Sequence, residues 1–211
     1  VFLLFTLTFY RTAWIAEDAF ITFRVVANTI DGEGLVWNIG ERVQAFTHPL
    51  WFFIITPLVF VFKDPYFVAV GLSYVLLILS LCLCFCIFDK KIYPFVIVIF
   101  LLFSKSFVDY SSSGLENPLI HFLLILFFLC WINDKKAIYY LLIFSLVFLT
   151  RPDAILLLSP AVLLVMLKKK SIKFRIEYDN SERVILHLQN YYSLIYNIFK
   201  NFRILFPKKK R

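Results

Sequence analysis

Residues 66–88 form a stretch of 23 residues without a single charge. A helix of that length reaches about 34 Å, enough to cross a bilayer core of about 30 Å. Shorter apolar runs occupy 50–62, 92–103 with an extension towards Val108, 118–132, 137–149 and 154–167. Hydrophobic residues make up 61% of the chain, and Phe alone occurs 26 times against 5 Gly. A soluble fold of 211 residues has too little interior to hide that much apolar surface, whereas a bilayer accepts it. In lipid every backbone group must be satisfied within its own element, so apolar runs of this kind predict helices. The expected fold is all-α: a polytopic transmembrane helical bundle. The last three runs fall short of about 20 residues, so their polar flanks should sit at the headgroups, or the bilayer should thin locally. The run 1–9 is half a span and reads as the outer half of a first helix.

Charge placement orients these runs. Residues 168–211 hold 12 Lys/Arg against 3 Asp/Glu, a net +9, while residues 1–167 hold 10 against 11, a net −1. A basic tail beside a membrane span reads as attraction to anionic lipids, not as a nucleic-acid surface. Lys90-Lys91, Lys135-Lys136 and Lys168-Lys169-Lys170 should all be cytoplasmic. Two spans separate each set from the next, so the three agree. That places 104–117 and 150–153 outside. Segment 10–48, with five acidic residues, three Arg and no Lys, also suits the outside. Parity then requires that 50–62 does not cross, and Pro49 suits the first turn of a juxtamembrane or re-entrant helix. The expected plan is a transmembrane domain over 1–167 with spans near 66–88, 92–108, 118–132, 137–150 and 154–167. An outer loop covers 10–48, a juxtamembrane helix 49–62, and a basic cytoplasmic tail 168–211. In that tail Leu188, Tyr192, Ile195, Phe199 and Phe202 recur at helical spacing as an interfacial amphipathic helix.

The residues that can carry chemistry fall on the outer side of this plan. Glu17 and Asp18 are adjacent carboxylates at a membrane boundary, costly unless solvated or used. One reading is a solvated helix start capped by Asp18; the other is a general base acting on a hydroxyl. Arg24 and Asn28 share a face of the helix that follows, and Arg suits phosphate because its planar fork binds two oxygens. Snorkelling to the headgroups is the competing explanation for Arg24. Segment 31–51 holds three of the five glycines, which mark tight turns, and includes Arg42 and His48. Glu116 lies at an outer helix entrance, where the helix dipole alone would favour it. Arg151 lies in the outer turn Thr150-Arg151-Pro152-Asp153. His48, His121 and His187 show no ligand spacing and read as structural from spacing alone. Cys84 faces away from Cys82 and Cys86 on a helix, so no tetrahedral metal site follows. What sets the outer residues apart is their convergence on one membrane surface.

The stretches Glu17-Asp18-Ala19-Phe20-Ile21-Thr22-Phe23-Arg24, Asn28, Gly34 to Val43 and Thr47-His48-Pro49-Leu50-Trp51 resemble bacterial membrane glycosyltransferases of the GT-C superfamily. The similarity is to arabinofuranosyltransferase-like members. Ser113-Gly114-Leu115-Glu116-Asn117-Pro118-Leu119 and Thr150-Arg151-Pro152-Asp153 resemble two later motifs of the same proteins, and the likeness covers about residues 10–167. It implies a polyprenyl-phosphate-sugar donor, a glycan or lipid acceptor of the cell envelope, and a multi-pass location in the cell inner membrane. Asp18 would be the base, with Glu17 beside it. Arg24, Asn28, Arg42, His48, Glu116 and Arg151 would hold the donor. No cofactor is implied, although a divalent cation between carboxylate and phosphate is compatible with the chemistry. Glu17 stands where such proteins usually have Asp, and His48 where Ser is common. Those proteins usually run to several hundred residues with more spans, so this chain could be a fragment, a split protein or a decayed copy. The rival expectation is a non-catalytic polytopic protein, either a partner subunit in envelope glycan assembly or a small transporter. Ion coupling calls for ionisable residues near the middle of the spans. Here 66–88, 118–132 and 154–167 offer only His121, near an end.

Overall fold

In the computed structural model the described residues, 2–41, 43, 45–87, 92–133 and 135–174, form helices and connecting loops, with no strand among them. The helices are α1 (Phe2–Thr12), α2 (Glu17–Ile30), α3 (Pro49–Phe62), α4 (Pro65–Ile87), α5 (Ile92–Phe103), α6 (Lys105–Ser111), α7 (Asn117–Ile132) and α8 (Ala137–Thr150). A 3-10 turn (Pro152–Ala154) and α9 (Ile155–Phe174) follow. The all-α expectation holds. Arg42, Lys90-Lys91 and the expected amphipathic helix at 188–202 lie outside the described residues.

Local chemistry sets the boundaries. Pro49 occupies the first turn of α3, where its missing N–H costs nothing. Lys63 ends that helix in the left-handed region at φ 62°, donating its N–H to Val59. Asp64 then accepts from the Phe67 N–H at 3.1 Å and so caps α4. The span expected near 92–108 is instead two helices. Ser104 accepts from the Phe107 N–H at 3.3 Å as an N-cap, and α6 leaves α5 at an angle of 84°. A capping serine offers the backbone a fresh start, and periodicity cannot register that break. Helix α9 also runs past the boundary expected at 167, to Phe174.

By length and composition, one helix among the described residues is able to cross a bilayer, α4, and the bent α5–α6 pair makes a second if it counts as one span. The sequence leads to five crossings. Helices α3, α7 and α8 have 14, 16 and 14 residues, about 21–24 Å, and fall short of a full bilayer core. Packing nevertheless joins them: α4 lies along α7, α7 against α8 and α8 against α9, while α3 is wedged between α2, α4 and α8. Trp51, Phe52, Ile55, Val25, Val26 and Val147 fill the centre. A smaller cluster ties Phe5 and Phe9 of α1 to Leu77 and Leu81 of α4 and Val98 of α5. The outward faces are also apolar; Phe103 is 85% exposed and Leu156 73%.

One tie brings the start of α2 to the start of α7. The Trp14 and Ala16 N–H groups donate to the carbonyls of Ser112 and Ser113 at 3.2 and 3.0 Å, and the Trp14 indole donates to the Asp109 carbonyl at 3.0 Å. Gly114 lets the chain turn here at φ +76°; a Cβ would stand 2.8 Å from Ile15 Cδ1 and 3.7 Å from Ala19 Cβ. Gly114→Ala should cost about 1–2 kcal/mol from the left-handed backbone alone. Gly114→Val, which adds a branch against Ala19, should cost about 3 kcal/mol. Thermal unfolding in detergent should rank intact above Ala above Val; a Val variant as stable as the intact chain would refute the close packing.

Candidate functional site

A cavity of about 1270 Å³ opens where these segments meet. Asp18 contributes from the first turn of α2, His48 from the entrance of α3, and Glu116 and Asn117 from the entrance of α7. Arg151 and Asp153 contribute from the turn after α8, and Ser106, Phe107 and Tyr110 from α6. Three helix N-termini thus face one space. Their dipoles favour an anion there, although Pro49 and Pro118 each remove a first-turn N–H from α3 and α7.

Asp18 is exposed and makes no ion pair or hydrogen bond among the described residues. It does not cap α2: the N-cap is Ala16, and Asp18 sits inside the first turn. Glu116 is the N-cap of α7, yet its side chain makes no capping bond. Instead its Oε1 lies 3.6 Å from Arg151 Nε and its Oε2 lies 3.5 Å from His48 Nδ1. Arg151 also donates to Asp153 Oδ1 and to Asn117 Oδ1, each at 3.3 Å. Glu116 is 8% exposed against 41% for Arg151, so the carboxylate is held inside while the arginine side chain stays partly exposed. Among the described residues no three His, Cys, Asp or Glu side chains are arranged to hold a cation.

His48 is buried, and its Nε2 lies 2.7 Å from the Thr22 hydroxyl. Burial lowers its pKa from the ordinary imidazole value; Glu116 opposes this, Arg151 lowers it further and Asp18 raises it. The unfolded chain, with an imidazole near 6.5, therefore takes up the proton first as pH falls. This contribution to stability is full above about pH 6.5 and declines as pH drops towards the lowered folded value. Thermal melts at about pH 7.5 and about pH 5.5 should show a loss at the lower pH that shrinks in His48→Gln.

The other expected site residues lie elsewhere. Glu17 is exposed and does not line the cavity. Arg24 donates to Asn38 Oδ1 at 3.0 Å and stacks 4.5 Å above the Trp37 ring. Asn28 donates to the carbonyls of Val36 and Trp37 at 2.8 and 3.0 Å. The two do share a face of α2, but that face holds the glycine-rich loop. Arg42 lies outside the described residues. Thr22, Asn117 and His121 also belong to the site's surroundings, and a lone Thr, Asn or His in a helix gives no periodic signal that would single it out.

The terminal β-(1→2)-arabinofuranosyltransferase of Mycobacterium tuberculosis is 41% identical to this chain over 46 residues, 22% of this chain and 7% of that protein. Its namesake from Corynebacterium glutamicum is 50% identical over 38 residues, 18% of this chain and 6% of that protein. A short stretch of this chain is similar to glycosyltransferases. The matched segments cover less than a tenth of either relative's length. No protein-family profile matches the chain, and no solved structure matches it.

Proposed function

We propose that this chain forms the reaction site of a multi-pass glycosyltransferase of the cell inner membrane, taking a sugar from a polyprenyl-phosphate donor at the outer face. The observation that carries this reading is one cavity lined both by Asp18, a carboxylate with no ion pair or hydrogen bond among the described residues, and by Arg151, a partly exposed guanidinium. Asp18 removes the proton of an acceptor hydroxyl on an envelope glycan or lipid. That oxygen forms a bond to the anomeric carbon as the bond to the phosphate oxygen breaks. The bonding pair leaves with the phosphate, and the configuration inverts. Negative charge grows on the departing phosphate, where Arg151 and the helix N-termini are placed to stabilise it. The apolar outward faces are the surface such a chain presents to lipid, and the basic tail would rest on anionic headgroups.

The test is a mass spectrum of envelope glycans and lipid-linked sugars from cells lacking the chain, and from such cells carrying it intact or as Asp18→Asn. Loss of one sugar in the first and third, and its return in the second, supports the reading and names the sugar by mass. Identical spectra from all three would leave the non-catalytic partner as the better account.

A further inference from the structure

Thr22 stands one helical turn beyond Asp18 on α2, on the same face. Its hydroxyl behaves unlike those of the other helical threonines. Thr6, Thr8, Thr12, Thr29, Thr56 and Thr150 each donate back to the carbonyl four residues earlier. The Thr22 hydroxyl, 2.7 Å from His48 Nε2, is turned to the ring instead. The opposite ring nitrogen faces Glu116 Oε2 at 3.5 Å, an atom that is buried and accepts no hydrogen bond among the described residues. Glu116 Oε1 in turn faces Arg151 Nε at 3.6 Å. Four side chains from four separate segments thus form one polar file, from the helix that carries Asp18 to the guanidinium of Arg151, which also lines the cavity.

We infer that His48 is a positioning residue which, anchored by Thr22, holds the Glu116 carboxylate against Arg151 and so sets the spacing between Asp18 and the phosphate-holding guanidinium. The inference rests on the transfer reaction proposed above. It also fixes a tautomer. An ionised carboxylate can only accept, so Nδ1 carries the ring proton, Nε2 accepts, and the Thr22 hydroxyl donates. The groups facing the ring are Thr22 and Asp18 from α2, Glu116 from the entrance of α7 and Arg151 from the turn after α8. A buried ring with Nε2 bonded to Thr22 and Nδ1 facing a buried carboxylate is poorly placed to bind substrate directly.

The chain with nitrogen-15-labelled histidine, in lipid nanodiscs, reads the tautomer by NMR. His48 is assigned by its absence in His48→Asn. It should be neutral with the proton on Nδ1, and Glu116→Gln, whose amide can donate, should move the proton towards Nε2. A charged or Nε2-protonated His48, or one indifferent to Glu116→Gln, overturns the inference. In transfer assays His48→Leu should lose about 10²-fold in kcat with donor KM held within about threefold. His48→Asn, which restores a donor at the Nδ1 place, should recover about tenfold of that loss. Equal losses in both variants, or a loss confined to KM, overturn it. If the intact chain transfers no sugar, the reaction reading fails separately, and inorganic phosphate becomes the probe, followed by phosphorus-31 line broadening. Binding should vanish in Arg151→Met, weaken about threefold in His48→Leu and return in His48→Asn. No binding by the intact chain, or equal binding by all variants, overturns the positioning role.

Discussion

Asp18→Asn is expected to lower the rate of sugar transfer by about 10²–10⁴-fold, the range for removal of a general base. The substitution keeps shape and volume, and no ion pair or hydrogen bond to Asp18 among the described residues is broken by it. Loss of folding should therefore not mimic loss of chemistry. The neighbouring carboxylate supplies the control. Glu17 is equally exposed but does not line the cavity, so Glu17→Gln should retain activity within about threefold, as a surface change away from the reacting groups does. The measurement is transfer from the polyprenyl-linked donor that the envelope glycans identify, at saturating acceptor, with the two variants in parallel. If Glu17→Gln loses as much as Asp18→Asn, the base is misassigned. If neither loses activity, the acid-base reading of this cavity is wrong.

The amount of this site legible in the sequence differs from residue to residue, for physical reasons. Helix content was readable because runs such as 66–88 leave the backbone no other way to satisfy itself in an apolar medium. The charge pattern put Asp18, Glu116 and Arg151 on one side, and all three line one cavity. Crossing number was less legible. Helix length supports one span, or two with the bent pair, because Ser104 restarts the helix inside a run that periodicity treats as continuous. Helix-face arithmetic correctly paired Arg24 with Asn28. It could not tell that their face holds the Val36–Asn38 segment and not the cavity, since the loop's path depends on glycines with positive φ. His48 illustrates the same limit. Its partners, Thr22 and Glu116, lie 26 and 68 residues away, and no spacing rule reaches across that separation.

Arg151→Met is expected to cost about 10²–10³-fold in kcat, the usual loss on removing one group aimed at developing charge. Arg24 and Arg151 differ in what they are committed to. Arg24 is occupied by Asn38 and the Trp37 ring, so Arg24→Met should act mainly on stability, by about 1 kcal/mol, through the lost cation–π contact. Arg151 is held on its inner side by Glu116 and Asn117, while 41% of its side chain stays exposed. A guanidinium presents five donors, and Glu116, Asp153 and Asn117 engage only Nε and Nη1. The remaining donors are what a phosphate would bind. Arg151→Lys keeps the charge and loses the fork, so it should fall between Arg and Met, with donor KM raised more than kcat is lowered. Kinetics of the three variants against donor concentration separate these outcomes. A full-rate Arg151→Met would remove the phosphate from this end of the cavity and leave the helix N-termini as its only support. A Lys variant equal to Met would instead show that two-pronged geometry, not charge, is what Arg151 supplies.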